Sequence, residues 1–492
     1  MPHTFGIIHA LKRAVSIFPN QEILASDGRT TYKKLYEDSL RIASFLRREG
    51  IGDGDVIAVF DFNTLRYVSL IYAASLVNAI VYPVNFRTSY SFIKRTFDIA
   101  KPKAVFCSRP FESLMEMLNV NYFSLENYTE WVRSNEPIFA APDIKSDFAL
   151  FFNDDEENLR GILYSQYHFP SLTLSMISQL SIANPSMQMN HTDAILSLIN
   201  INNVFSWGSI FFAPLIGAKL VLVDTFSPDY IFRLIENEGI TFILAVPKMM
   251  QSLVRERSNL GNLKALIGGG LISPRLDADL RSAGVNYIYI YGSELLLALG
   301  VSMNRGKSEK GREPNKVYPL PFVEMKIIKD DFQEANINEP GEIVCKSVWI
   351  PKIFYSSEKN LYFDGWYRTG DLGLKKEDGG IVYLGKINKA MKEGRNFIPT
   401  YYLENLIRDV ANNAEVSFTA VYDENYGKRP VAILKGRNID VSEVWNYLHY
   451  NSRVGRIDKS WLPLNIVVLD RKLKSYPETE YIERLNNRKI KQ

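Results

Sequence analysis

The segment GWYRTGDLG, residues 365–373, contains a single carboxylate, Asp371, among three glycines. Glycine lets the backbone come close to a ligand because it carries no Cβ and tolerates positive φ. A carboxylate placed there can accept two hydrogen bonds from vicinal hydroxyls, as on a ribose. The alternative is a turn-rich loop between strands in which Asp371 caps a turn, since a motif as short as TGD often arises by chance.

Outward from this segment, helix and strand signals alternate through the first three hundred residues. Apolar residues at helical spacing in TYKKLYEDSLRIASFLRREG predict a helix that ends at Gly50. KLVLVD, Lys219 to Asp224, predicts a buried strand, and Ser227 and Pro228 then supply an N-cap and a first-turn proline. This alternation predicts an α/β fold with a mostly parallel sheet and helices on its faces.

The pattern changes after Gly300. VEMKIIKD, GEIVCKSVW and GGIVYLGK are short strand signals separated by polar turns, which predict an antiparallel ribbon or a small barrel. From about Ala390 a smaller α+β unit follows, with a helix predicted over Thr400 to Val410 and a strand over Val416 to Tyr422.

The bulk composition argues against several classes of protein. A net charge of +3 over 492 residues is too small to favour nucleic acid or an anionic membrane surface as partner. Cys107 and Cys345 are far apart and the five histidines lack metal-ligand spacing, so we expect no disulfide framework or zinc site and a cytoplasmic location. Tyr67 to Tyr82 is too short for a membrane span and predicts a core helix that runs into a strand.

In full, GWYRTGDLG resembles the ribose-binding motif of the adenylate-forming superfamily, which includes acyl-CoA synthetases, peptide-synthetase adenylation domains and luciferases. NAIVYPVN, the glycines 268–270 and GKINKAMKEGRNFIPTYYLENLI resemble further segments of that family, in the same order. The resemblance implies a large N-terminal domain over 1–386, with parallel-rich sheets, flanking helices and a small antiparallel barrel-like part. It also implies a small, mobile C-terminal α+β domain over 387–492, attached by a hinge.

The resemblance implies a two-step reaction. A carboxylate attacks the α-phosphate of Mg-ATP to give an acyl-adenylate and pyrophosphate, and rotation of the C-terminal domain then admits a thiol acceptor, usually coenzyme A. Positioning and neutralisation of phosphate charge supply most of the catalysis. The expected cofactors are therefore ATP, Mg²⁺ and coenzyme A, and the expected substrate is a fatty or other small-molecule carboxylic acid. A homodimer or a protein partner is left open.

Matched positions imply roles on the ribose side of the site. Asp371 would bind the ribose hydroxyls. Lys386 stands where the family has an arginine that also touches ribose, so it keeps the charge but loses the bidentate fork. Lys389 occupies the hinge position. Gly268, Gly269 and Gly270 would form the glycine turn on the adenine side.

YGSE, Tyr291 to Glu294, resembles the family's Y-G-x-T-E with one residue fewer. By this resemblance Tyr291 would stack on adenine, Ser293 would present its hydroxyl to the α-phosphate, and Glu294 would hold Mg²⁺ through a carboxylate oxygen. The alternative is a strand end at which Ser293 caps a following Leu-rich helix, because serine is a favoured N-cap.

The segment FFNDDEENLRG, Phe151 to Gly161, aligns without a gap with the family's phosphate loop, which resembles Y-T-S-G-S-T-G-x-P-K-G. Acidic residues replace its hydroxyls and glycines over 154–157, whereas Arg160 retains the positive end. Two like charges ~5 Å apart at an effective dielectric near 20 repel by on the order of 3 kcal/mol. Several carboxylates beside a triphosphate should abolish ordinary ATP binding unless a carboxylate-held Mg²⁺ compensates in part or the loop swings away; the alternative is a solvated acidic loop with no ligand.

The C-terminus departs from the family as well. Relatives carry a catalytic lysine in a P-x-T-x-x-G-K context, but LKSYPETEYIER has Thr479 and Glu480 where Gly-Lys would stand, with Lys472 and Lys474 nearby. Two functions therefore remain open. The first is an AMP-forming acid–thiol ligase that transfers a fatty or other organic acid to coenzyme A. The second is a catalytically degenerate member that binds a ligand or a partner.

Overall fold

The structure is a computed structural model of the chain, and the part it describes has short gaps. The described residues are 6–140, 142–153, 155–183, 185–293, 296–303, 312–357, 361–394, 396–411, 414–423 and 427–469. The predictions on Glu294 and on residues 472–480 lie outside them, as does Asp154.

Helices and strands alternate over the first three hundred residues, as predicted. The helices are α1 Ile8–Ile17, α2 Tyr32–Arg48, α3 Leu65–Val77, α4 Tyr90–Ala100, α5 Glu112–Leu118, α6 Tyr128–Ser134, α7 His168–Ala183, α8 Val204–Ile216, α9 Pro228–Glu238, α10 Pro247–Glu256, α11 Pro274–Ser282, α12 Thr400–Val410 and α13 Val441–Arg453. The strands are β1 Glu22–Ala25, β2 Gly28–Thr31, β3 Val56–Phe60, β4 Ile80–Pro83, β5 Ala104–Cys107, β6 Phe123–Ser124, β7 Asp147–Phe152, β8 Arg160–Ser165, β9 Ala194–Ser197, β10 Lys219–Leu222, β11 Phe242–Ala245, β12 Lys264–Ile267, β13 Asn286–Ser293, β14 Leu296–Val301, β15 Lys316–Pro319, β16 Val323–Ile328, β17 Gly341–Ser347, β18 Lys352–Ser356, β19 Tyr362–Phe363, β20 Trp366–Lys375, β21 Ile381–Lys386, β22 Met391–Glu393, β23 Asn396–Ile398, β24 Glu415–Asp423, β25 Gly427–Lys435 and β26 Asn465–Leu469.

Local capping explains where several helices begin. Thr31 Oγ1 accepts a hydrogen bond from the Lys34 amide at the start of α2, and Ser227 Oγ accepts one from the Tyr230 amide at the start of α9. Each bond satisfies a backbone donor that the first helical turn leaves without a partner. The helices predicted from TYKKLYEDSLRIASFLRREG and from Ser227-Pro228 are therefore confirmed.

Two large sheets carry the fold. The larger follows the order β16-β17-β20-β21-β15-β14-β13-β12-β11-β9-β10-β1-β2, with β19 paired to β20, and the smaller follows β18-β8-β7-β4-β3-β5-β6. From β1 to β13 the pairs β1–β10, β10–β9, β9–β11, β11–β12 and β12–β13 are parallel, which confirms the predicted parallel sheet. One apolar cluster that includes residues of both sheets forms the main core.

The antiparallel part predicted after Gly300 extends the larger sheet from β13 through β14, β15, β21 and β20. Four strand spacings in a flat sheet would separate β13 from β20 by roughly 19 Å. The Tyr291 hydroxyl on β13 nevertheless lies 2.8 Å from Asp371 Oδ2 on β20. The strands therefore curl strongly, as the prediction of a barrel-like part requires.

Two local alternatives considered for the sequence are wrong. Residues 365–373 do not form a turn-rich loop, because Trp366–Lys375 is the continuous strand β20, in which Gly370 adopts φ +72°. No Leu-rich helix follows Ser293, because Leu296–Val301 is the strand β14. Pairing of β14 with both β13 and β15 outweighs the helix propensity of leucine.

The C-terminal unit consists of the sheet β24-β25-β26 with α12 and α13, and the predicted helix over Thr400 to Val410 is confirmed. It is docked on the rest of the chain by polar contacts. Arg275 Nη1 donates to the Asp409 carbonyl at 2.6 Å, and Arg456 Nε donates to the Arg312 carbonyl at 3.0 Å. Within the unit, Tyr447 on α13 donates to Asp409 Oδ2 on α12 at 2.9 Å. The division at residues 386 and 387 stays a prediction.

A buried acid, Glu313, lies at this docked face. Burial raises its pKa to about 7, although Lys376, Arg456 and Lys316 act in the opposite direction, and Tyr402 Oη lies 3.5 Å from Oε2. The folded protein therefore binds this proton more tightly than the unfolded chain, whose glutamates titrate near 4.5. We expect a stability contribution of about 3 kcal/mol that is present below pH 4.5 and is lost as pH rises through about 7.

Denaturant unfolding of Glu313→Gln between pH 4 and 8 tests this expectation. The variant should lose most of the decline in stability that the wild type shows over that range, because its amide cannot ionise. Glu377→Gln, a change of the same kind at an exposed position, is the matched control. A wild-type stability that does not fall, or an unchanged decline in Glu313→Gln, would contradict it.

Candidate functional site

Asp371 is the centre of a buried polar cluster. Its residue surface is 1% exposed, and the Tyr291 hydroxyl donates to Oδ2 at 2.8 Å. Lys386 Nζ lies 2.9 Å from Oδ1 as an ion pair, yet Oδ1 accepts no hydrogen bond of acceptable geometry from the described residues. A buried carboxylate oxygen with spare acceptor capacity is what a ribose hydroxyl requires.

Strand pairing explains how these residues meet. Asp371 on β20 is in register with Lys386 on β21, so their side chains start from directly opposite positions. The curl of the antiparallel part brings Tyr291 to the same point across 80 residues of sequence. Gly385, at φ +120°, lets the Tyr401 ring pack where a Cβ would lie 2.5 Å from ring carbon Cδ1.

Tyr291 is held as a hydrogen-bond donor. Burial, together with the charge of Asp371, raises the pKa of its hydroxyl well above the ordinary tyrosine value, so the proton stays on the ring oxygen. The ring is 2% exposed and packs against Tyr383 with centroids 5.3 Å apart. The structure thus gives Tyr291 a contact with the carboxylate, while its stacking on adenine stays a prediction.

The glycines 268–270 form a turn between β12 and α11. At Gly268 a Cβ would lie 2.6 Å from Ile290 Cγ2, so only glycine fits beside β13 without displacing a neighbour. Gly269 has φ +77°, which disfavours other residues, and Gly270 follows it directly. The turn therefore brings a bare backbone to the end of the parallel strands, beside β13.

The described acidic residues, Asp155, Glu156 and Glu157, lie in the hairpin turn between β7 and β8. Asp155 Oδ1 accepts hydrogen bonds from the amides of Glu157 and Asn158, both at 3.0 Å, so the carboxylate caps its own turn. Arg95 Nη1 donates to the Glu156 carbonyl at 2.8 Å. The Ser89 hydroxyl donates to Glu156 Oε1 at 2.9 Å. These contacts hold the hairpin against α4.

The hairpin faces the Asp371 cluster. Arg160 Nη1 donates to the Tyr367 hydroxyl at 3.0 Å, which joins the end of the hairpin to β20. Burial acts to raise the pKa of Asp155, but hydrogen bonds from Asn158 and Glu157 and the positive charge of Lys386 lower it below its ordinary value. Asp155 is therefore a carboxylate at neutral pH. The positive charge of Lys386 attracts both Asp155 and Asp371.

An apolar cavity of about 70 Å³ lies between α7 and α8, over the ends of β11, β12 and β13. No charged side chain is among the described residues that line it. Phe205 and Phe212 contribute to its wall, whereas their neighbours Trp207 and Phe211 are 0% and 1% exposed core residues. The cavity is adjacent to the polar cluster because Ile290 lines it and the next residue, Tyr291, contacts Asp371.

The other predicted site residues are Lys389, Ser293 and Glu294. Lys389 is exposed, with Nζ 5.2 Å from the centroid of the Tyr401 ring. Ser293 ends β13, paired with Leu296, and Glu294 lies outside the described residues. Within the described ranges no three His, Cys, Asp or Glu side chains converge as metal ligands.

Sequence reasoning missed several residues of the site. Tyr367, the partner of Arg160, lies inside GWYRTGDLG itself but carries no signal of a contact with the hairpin. Asn153 accepts from the Arg160 amide at 2.8 Å and closes the hairpin neck. The cavity had two sequence signals. The aromatic run that includes Phe205 and Phe212 favours an apolar tunnel, and both residues line the cavity. In addition, α7 contains no Asp, Glu, Lys or Arg in 16 residues, which is unusual for a helix exposed to solvent.

Parallel strands that end at a glycine turn, beside a curled antiparallel part with a buried carboxylate, are the architecture of adenylate-forming enzymes. The chain belongs to the AMP-binding enzyme family, whose profile matches residues 11–146 and 166–355. The match is interrupted over 147–165, which are β7, the acidic hairpin and β8. The acidic hairpin therefore lies in a segment that the family profile does not match.

Two curated relatives illustrate the similarity. The long-chain-fatty-acid–CoA ligase of Thermus thermophilus is 23% identical over 463 residues, which cover 87% of this chain and 85% of the relative. The medium-chain-fatty-acid–CoA ligase of Ectopseudomonas oleovorans is 23% identical over 483 residues, which cover 89% of this chain and 87% of the relative. The similarity therefore extends over most of both chains.

A solved structure confirms the fold. The o-succinylbenzoate CoA synthetase of Bacillus subtilis, in complex with its acyl-adenylate intermediate, matches with a TM-score of 0.78 and 20% identity, covering 94% of each chain. The same enzyme has been solved with ATP and a magnesium ion. In the described part of the present chain, no helix is long and apolar enough to cross a membrane.

Proposed function

We propose that the protein is an AMP-forming acid–thiol ligase. It activates an apolar carboxylic acid with ATP and Mg²⁺ as the acyl-adenylate and transfers the acyl group to coenzyme A. Family membership supports the use of AMP and ATP, and the names of the relatives support an acid–CoA ligase. The two buried free thiols, Cys107 and Cys345, support a cytoplasmic location. Whether the protein forms a homodimer can be tested by measuring its molecular mass in solution.

The observation that carries the proposal is the junction of two unlike sites at the end of β13. Ile290 lines the apolar cavity, whereas Tyr291 contacts the ribose-type carboxylate Asp371. Successive side chains of a strand point to opposite faces, so an acyl group and a nucleoside would join beyond the strand end at Gly292 and Ser293. An acyl-adenylate has this division into an apolar half and a polar half.

The residues of this chain take distinct roles in the proposal. Asp371 would accept hydrogen bonds from the ribose hydroxyls, and Tyr291 fixes the orientation of the carboxylate through Oδ2. Lys386 adds a positive charge at the mouth of the cluster. A magnesium ion, when bound, would neutralise phosphate charge beside the acidic hairpin, and Glu294 stays the proposed ligand. Lys389 stays the proposed hinge between domains 1–386 and 387–492.

The test is the formation of AMP and acyl-CoA from ATP, Mg²⁺, coenzyme A and a panel of aliphatic and aromatic acids. We expect both products to appear together, in equal amounts, and only when an acid is present. ATP cleavage without an acid, or no product with any acid of the panel, would overturn the proposal.

Lys386→Ala should weaken nucleotide binding. The Lys386 side chain is 45% exposed, whereas that of Asp371 is 2% exposed, so the variant leaves a buried carboxylate without its ion-pair partner and should also lose stability. A charge-assisted contact to a bound nucleotide is worth roughly 1.5–3 kcal/mol. We expect the Kd for AMP, measured by calorimetry on the folded variant, to rise about 10-fold or more.

Lys375→Ala is the control, because Lys375 forms a surface ion pair, with Glu334, on the same strand as Asp371. It should leave the Kd for AMP unchanged. Equal losses of affinity in the two variants would contradict the assigned role.

A further inference from the structure

The apolar cavity contains one position where the protein leaves room that a side chain could fill. Gly208 lies in the middle of α8 and lines the cavity together with Val204 and Phe212, one turn before and one turn after it. On the basis of the proposed function, we propose that Gly208 sets the depth of the acid pocket, so that the enzyme selects uncharged hydrocarbon acids by length.

The backbone at Gly208 does not require glycine. A Cβ built there meets no atom within 4 Å, and φ is not in the left-handed region. Glycine in a helix interior is destabilising relative to alanine. Glycine at this position therefore lowers the stability of the helix. In return, the absence of a side chain leaves open space in front of position 208.

The helix geometry aims this space into the cavity. Val204, Gly208 and Phe212 recur every four residues and form one face of α8. The opposite wall comes from α7, where Leu172 and Met176 recur at the same spacing. A side chain at position 208 would therefore project between the two helices, where the tail of an acid would lie.

The polar groups of the lining select against a charged tail. Thr173 and Ser209 are the hydroxyl residues among those that line the cavity. The Thr173 hydroxyl donates to the Phe169 carbonyl at 2.6 Å, and the Ser209 hydroxyl donates to the Ser206 carbonyl at 2.7 Å. Both donors are thus used within their own helices, and a second carboxylate on the acid would be buried without a donor.

The experiment measures kcat/KM for straight-chain monocarboxylic acids of two to twelve carbons, each compared with the dicarboxylic acid of equal length. Wild type, Gly208→Ala and Gly208→Leu are assayed, with Gly52→Leu as matched control. Gly52 is also a glycine whose added Cβ meets nothing and whose φ is ordinary, but it lies in the loop before β3.

We expect Gly208→Leu to shift the optimum to shorter acids. Each methylene that loses its place should lower kcat/KM by roughly 10- to 200-fold. Gly208→Ala should give a smaller shift in the same direction together with a higher Tm, which keeps the test decisive if the leucine variant does not fold. Gly52→Leu should keep the wild-type profile, and dicarboxylic acids should be poor substrates for wild type.

The outcomes separate this inference from the proposed function. A wild type that uses no acid defeats the proposed function. A wild type that uses hydrocarbon acids, with the same length profile in Gly208→Ala and in any folded Gly208→Leu, defeats the role of Gly208 and leaves the ligase intact. Efficient use of dicarboxylic acids by the wild type would overturn the selection for uncharged tails.

Discussion

Asp371→Asn should lower kcat/KM for adenylate formation by at least about 100-fold. The substitution keeps the shape of the side chain and an oxygen for the Tyr291 hydroxyl, but it removes the negative charge that Lys386 faces and that the proposed ribose hydroxyls would face. Hydrogen bonds to a charged group contribute about 1.5–3 kcal/mol each, so two weakened bonds correspond to about two to four powers of ten. The rate of AMP formation at low ATP concentration measures this loss.

Asp378→Asn is the matched control for this prediction. Asp378 lies in the turn between β20 and β21, on the same hairpin as Asp371, and accepts hydrogen bonds from Lys316 and Tyr318. It should leave kcat/KM within about threefold of wild type. An Asp371→Asn enzyme that keeps wild-type kcat/KM would show that nucleotides bind elsewhere.

The second large effect should come from the acidic hairpin. Replacing Asp155 by Ser, Glu156 by Thr and Glu157 by Gly should lower the KM for ATP by about 100-fold. Repulsion between one carboxylate and one phosphate charge ~5 Å away is on the order of 3 kcal/mol at an effective dielectric near 20. Asp155 contributes fully at neutral pH because its pKa is below its ordinary value. Serine at position 155 can still cap the turn.

A change of net charge alone should not reproduce this gain. The control neutralises three exposed acids elsewhere, through Asp229→Asn, Asp279→Asn and Glu443→Gln, and thus alters the total charge equally. Its KM for ATP should stay within about threefold of wild type. A hairpin variant that binds ATP no better, while it still forms products, would show that the carboxylates do not oppose the triphosphate.

Local patterns in the sequence predict the elements of this fold well. The helix over Thr400 to Val410 matches α12 at both ends, and Ser227-Pro228 marks the start of α9. Caps, prolines and apolar spacing act within a few residues, so they can be recognised without tertiary structure. The family resemblance adds Asp371 and Lys386, which the register of β20 and β21 then places opposite each other.

Local sequence patterns could not predict the contacts between distant segments. The leucines after Ser293 favour a helix locally, but two neighbouring strands recruit them into β14. The contact of Tyr291 with Asp371 depends on the curl of five strands, and that of Arg160 with Tyr367 spans 207 residues. Only the assembled sheets determine which face of each strand these side chains share.

The most direct test of the joint site is calorimetric titration with octanoyl-adenylate in which a sulfamate replaces the phosphate. This probe carries both halves of the expected intermediate and lacks the pyrophosphate that the hairpin would repel. We expect one molecule to bind per chain, with affinity at least 100-fold weaker in Asp371→Asn and unchanged in Asp378→Asn. No binding to the wild type, or equal binding to wild type and Asp371→Asn, would contradict a nucleotide site at Asp371.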